Sequence, residues 1–160
     1  MPSILKGLAR GAAAGAAGTT ALNGVTSLDM LVRGRPASDT PQRMVATLAR
    51  DAHADISGGD DTRENRLQGA GPLAGTLTGV VVGAVSGALH AAGLKLPSWA
   101  GAPLMGLAAM AASDLPMALT GVSDPRRWAA RDWAADLLPH LAYGVVAHAA
   151  LASMEKADGI

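Results

Sequence analysis

The chain has 160 residues, 13 basic and 13 acidic for a formal net charge of zero, no cysteine, and aromatics limited to three Trp and one Tyr. The missing cysteine excludes disulfides, thiolate metal sites and cysteine catalysis, while the balanced charge and scarce stacking side chains argue against a nucleic-acid partner. Apolar residues make up 49% of the chain, mainly as Ala, Leu, Val and Gly, a composition that suits close helix packing in lipid and also follows from a GC-rich genome.

Charge is absent from four stretches: 11–28, 67–94, 96–113 and 137–154. About 20 helical residues cross the hydrocarbon layer, and backbone groups in lipid must bond within their own segment. The pattern predicts an all-α polytopic membrane protein, a bundle of four transmembrane helices in a single domain over 1–160. The helices are expected near 5–33, 70–93, 99–121 and 132–154.

The first helix is rich in Ala and Gly. Lys6 and Arg10 ahead of a small-residue stretch also fit a secretory signal peptide, but "GAAAGAAGTTALNG" lacks a leucine-rich centre. Gly7, Gly11 and Gly15 line one face, continued by Thr19 and Asn23. Asn23 and Asp29 are expected to be buried hydrogen-bonding residues.

Thr40 and Pro41 form a helix-start signal. Met44, Val45, Leu48 and Ala52 then share a face, which predicts an amphipathic helix over 41–54 lying on the membrane surface, with a solvated loop helix as the alternative. The stretch 57–69, "SGGDDTRENRLQG", reads as a flexible linker.

In the second helix Gly71, Gly75, Gly79, Gly83 and Gly87 recur at every fourth position. Four residues advance a helix by about 40°, so they form a slowly winding groove that another helix can approach closely. The expected occupant is the first helix, through Gly7, Gly11 and Gly15; a homo-oligomeric, glycine-lined pore is the alternative.

The third helix contains Asp114 two residues before Pro116. Proline removes a backbone donor and leaves a carbonyl free, so Asp114 is a candidate polar site unless the span ends there. In the fourth helix Asp136 and His140 are four apart on one face, with Tyr143, Gly144 and His148 beyond. Asp114, Asp136, His140 and Tyr143 form the candidate polar site. His90, His140 and His148 raise the thought of a metal, but the carboxylates are too few for a bundle metal site and HExxH is missing. No metal, cofactor or catalytic residue is expected, since no P-loop, dinucleotide fingerprint or nucleophile elbow occurs.

Trp99, Trp128 and Trp133 stand where membrane interfaces are expected. Nine arginines lie in 33–69 and 122–136, against Lys6, Arg10, Lys95 and Lys156 on the other side. The positive-inside rule places both loops in the cytoplasm and both termini outside.

The stretch "SDLPMALTGVSDPRRWAARDWAADLLPHLAYG" resembles the C-terminal part of the YagU-like inner-membrane proteins. The resemblance rests on Pro116, Leu119 and Thr120, a Trp-bearing loop, Asp136 four before His140, and Tyr143. Pro41 to Met44 and the small-residue first helix also resemble that family. The patches cover about half the chain, which is shorter, poor in aromatics, and without the family's bulky second-helix residues. The resemblance implies a small multi-spanning membrane protein without an established catalytic activity.

The expected function is that of a non-enzymatic accessory or scaffold subunit in the cytoplasmic (inner) membrane. Its partners are the lipid bilayer and a membrane protein of unknown identity. The rival is a small channel or transporter with Asp114, Asp136 and His140 beside a hydrated ion or proton path; a lipid-handling enzyme is more distant.

Overall fold

The computed structural model describes residues 3–157, and among them all regular structure is helical. The elements are α1 (Ile4–Arg33), α2 (Thr40–Asp51), α3 (Asp60–Ala91), α4 (Ser98–Leu119), a 3-10 turn (Pro125–Arg127) and α5 (Ala130–Ala157).

Local chemistry sets the ends. Ser3 caps α1 by accepting from the Lys6 amide at 3.2 Å, and Gly34 closes it with φ +60°. Asp60 and Asp61 occupy the first turn of α3, where carboxylates favour the helix dipole. Gly93 and Gly121, at φ +101° and +72°, follow the ends of α3 and α4; such values favour glycine, which has no Cβ to clash. The Asp132 carboxylate accepts from the Ala129 amide at 3.0 Å at the start of α5.

Helix boundaries differ from the sequence reading at one place above all. The predicted linker 57–69 is helical from Asp60 onward and continuous with α3. Gly58 and Gly59 mark its true break, and Gln68 donates to Glu64 one turn back at 3.3 Å. Arg63, Glu64 and Arg66 are good helix formers, and Asp60 and Asp61 suit a first turn, so polarity here does not end the helix. The helix expected over 41–54 spans 40–51, with Pro41 in its first turn.

Three helices are long and apolar enough to cross a membrane by length and composition: Asp60–Ala91, Ser98–Leu119 and Ala130–Ala157. The expectation of four is corrected. Helix α1 has the length, 30 residues, but its Gly, Thr, Ser and Asn content keeps it out of that group.

The outer surface supports a lipid environment. Leu73, Leu77, Val81, Val85 and Leu89 form an exposed row along α3, offset two residues from the glycines and so on the opposite face. Trp99, Leu104, Leu107, Leu115 and Leu119 are exposed along α4. So long an apolar surface is unfavourable in water and is what a hydrocarbon solvent requires. Helical hydroxyls are satisfied internally: Thr20, Thr76, Thr78, Ser86, Ser113 and Ser153 each donate to the carbonyl four residues back. That leaves none of these hydroxyl donors to be lost to lipid.

Inside, α1 packs on α3 and α5, α4 on α5, and α2 on α3. The core is Met105, Ala109, Tyr143 and Ala147, with Leu22 and Val82 against it.

Candidate functional site

The α1–α3 contact is made by backbone. A Cβ at Gly7 would stand 2.5 Å from the Gly87 oxygen; one at Gly11 would meet the Gly83 carbonyl and, at 2.9 Å, the Gly87 Cα; one at Gly15 would meet the Gly79 carbonyl. The pairs 7/87, 11/83 and 15/79 step by four in opposite directions, so the helices run antiparallel in register. Gly79 also abuts Thr19, whose hydroxyl returns to the Gly15 carbonyl at 2.9 Å.

Two members of the series behave differently. Gly71 faces Pro41 and Gln42 of α2, not α1, and Gly75 has open space where a Cβ would stand. Two further contacts have no counterpart in the sequence reading: Gly18 lies 2.7 Å from the Tyr143 ring by the same measure, and Gly101 lies 2.5 Å from the His148 ring.

Tyr143, placed by its sequence position with the polar candidates, belongs to the core. It is 0% exposed, and its hydroxyl donates to the Gly79 carbonyl at 2.6 Å. It thus ties α5 to α3 where α1 also arrives. Asn23, expected to be buried, is exposed on α1. Asp29 is half-buried and paired with Arg35 at 2.5 Å and Arg33 at 3.4 Å, at the end of α1.

The remaining three candidates converge. The α4–α5 seam is another glycine contact: a Cβ at Gly106 would stand 2.5 Å from the His140 carbonyl oxygen, and one at Gly144 would meet Ala102 and Gly106. Asp114 lies eight residues after Gly106, and Asp136 eight residues before Gly144. In an antiparallel pair those equal offsets, about 12 Å along each axis, return both residues to the same seam. The Asp114 and Asp136 carboxyls are neighbours across this seam, and Asp136 Oδ2 is buried without a hydrogen-bond partner. The equal spacing was present in the sequence and is the signal that finds the pair.

His140 is buried beside them. Its Nδ1 lies 2.8 Å from the Asp136 carbonyl oxygen and 3.5 Å from the Asp136 carboxylate. Pro116 and Pro139 sit within α4 and α5, each depriving the carbonyl four residues earlier of its helix donor. The seam near the acids is therefore locally polar. Among the described residues no group of three or more His, Cys, Asp or Glu has metal-holding geometry.

His90 and His148 form a separate edge-to-face pair with centroids 5.9 Å apart, near the opposite end of the bundle. His90 bonds the Ser86 carbonyl through Nδ1 at 3.0 Å.

On the side carrying α2, Arg43 donates to the Val122 carbonyl at 2.6 Å, and the Thr120 hydroxyl lies 3.5 Å from the Met44 sulfur. These bonds hold α2 against the α4–α5 connection. Asp124, in that connection, has its carboxyl held below the usual range, first by the hydrogen bond from the Arg126 side chain.

No family model, curated protein or solved structure matches the chain.

Proposed function

We propose that the protein is a non-enzymatic accessory or scaffold subunit of a complex in the cytoplasmic membrane, meeting its partner through the outward face of α1. One observation carries this reading. Thr20, Asn23, Gly24 and Ser27 lie along α1 and all four are exposed, and open space surrounds the Cβ position of Gly24. Lipid is a poor solvent for a carboxamide, whereas small and polar residues are what helices use to associate in a bilayer. In this reading α3 and α5 carry α1 into the bilayer, and a helix of the partner covers its free side. The arginine bias supports a cytoplasmic side for 33–69 and 122–136, and the YagU-like resemblance supports the same class of protein.

The test is a photo-crosslinker at position 23, with position 81 on the opposite, leucine- and valine-rich surface as control. Crosslinking of one co-purifying membrane protein at fixed stoichiometry from position 23 alone supports the proposal. Crosslinks to lipid only, or to a second copy of this chain, refute it.

The clustering of Asp114, Asp136 and His140 on the α4–α5 seam favours a second reading, a small transporter or channel in which these side chains line an ion or proton path. Proton or ion flux into liposomes that is present in the wild type and lost in Asp114→Asn would select this reading over the first.

A further inference from the structure

We propose that the α4–α5 connection is a binding surface for the phosphate groups of anionic phospholipids. It lies between two lipid-facing surfaces. Leu119, 87% exposed, ends α4 before it, and Leu138, 59% exposed, follows in the second turn beyond Trp133. Its guanidinium groups therefore stand where the apolar faces stop, at the level of the headgroups.

The connection is braced in one shape. Val122 is held by Arg43 of α2, the Trp128 indole donates to Ser123 at 3.1 Å, and the Trp128 and Trp133 rings meet edge to face at 5.1 Å. Paired indoles are at home in the interfacial layer. The acids of the connection are engaged internally. Asp124 accepts from the Arg126 amide at 3.1 Å and side chain at 2.9 Å, and Asp132 accepts from the Ala129 amide. Arg126, though 91% exposed, makes its closest contact with Asp124.

Arg127 and Arg131 are left presented to the surroundings. Their side chains are 86% and 77% exposed, with nearest carboxylate contacts of 4.0 Å and 3.7 Å. Ion pairs so long and so exposed hold little, while a planar guanidinium matches a phosphate through paired N–H donors. The charge and the position both select an anionic headgroup of the bilayer that surrounds the helices.

The test uses the full chain in nanodiscs, with Trp99→Phe so that only Trp128 and Trp133 report. Tail-brominated phosphatidylglycerol and tail-brominated phosphatidylcholine are compared as quenchers, each diluted in the same unlabelled lipid. Engagement of one arginine is expected to enrich the anionic lipid about fivefold. Phosphatidylglycerol should therefore quench more strongly, the excess should fall with added salt, and Arg127→Gln with Arg131→Gln should abolish it. Equal quenching by the two lipids, an excess insensitive to salt, or an excess that survives the double substitution in a protein of unchanged helical content overturns the proposal. The salt series on the unsubstituted arginines remains decisive even if the double variant fails to fold.

Discussion

Gly83 and Gly75 lie in the same helix two turns apart, yet replacing each by alanine should have opposite effects. At Gly83 the new Cβ would stand 2.6 Å from the Gly15 Cα and 2.7 Å from its nitrogen, where ordinary contact begins at 3.4 Å. The obstacles, the Gly11 carbonyl oxygen nearest of all, are backbone, so no side chain can rotate away; α1 must retreat by about 1 Å along this stretch, and overpacking of that kind costs about 1–3 kcal/mol. At Gly75 nothing lies within 4 Å, leaving only the gain from a better helix former, about 1 kcal/mol at most. Both variants exchange the same residue types in one helix, so the propensity gain cancels in their comparison. Gly83→Ala should be less stable than Gly75→Ala by about 1–3 kcal/mol. Reversible unfolding in mixed detergent–lipid micelles, followed by far-UV circular dichroism, measures the difference. Equal stability would refute the backbone-contact reasoning.

Two further outcomes follow from individual bonds. Tyr143→Phe removes the bond to the Gly79 carbonyl and leaves the ring in place, so stability measured in the same micelles should fall by about 0.5–1.5 kcal/mol; an unchanged value would show that the hydroxyl contributes nothing there. Asp124, held low by Arg126, binds its proton more weakly when folded, so its contact stabilises the connection above the usual aspartate value of 3.8 and is lost as pH falls through the lowered value. Emission from Trp128 and Trp133, in the Trp99→Phe background, should stay constant from neutrality to that value and change only below it, and Asp124→Asn should remove the change; a transition nearer neutrality would contradict this assignment.

Much of the architecture can be read from charge alone. Charge is expensive in lipid, so uncharged stretches of spanning length mark α3, α4 and α5, and Pro41 marks the start of α2. The same signal misleads at 57–69, because charge excludes a segment from hydrocarbon without excluding it from a helix. It also misleads for α1, whose uncharged stretch is too rich in Gly, Thr and Asn to rank with the three spanning helices. Four-residue recurrence puts glycines on one face but does not say which neighbour each meets. Gly71 goes to α2, and Gly75 meets nothing, since a straight row diverges from its partner at a crossing. Asp114, Asp136 and His140 were identifiable one by one as polar groups within apolar stretches. Their contact depends on the Gly106–Gly144 seam, whose equal eight-residue offsets to the two acids become informative only once α4 and α5 are paired. Tyr143 shows the opposite case: its sequence neighbours are polar, but its spatial neighbours are Gly18 and Gly79, small enough to admit its ring.

The most direct measurement compares a spin label at Val81, within the exposed row of α3, with one at Glu64, in its charged extension, in a reconstituted bilayer. Lipid around the bundle predicts high collision with oxygen and low collision with a water-soluble nickel chelate at Val81, and the reverse at Glu64. A Val81 label as open to the nickel chelate as that at Glu64 would contradict the account.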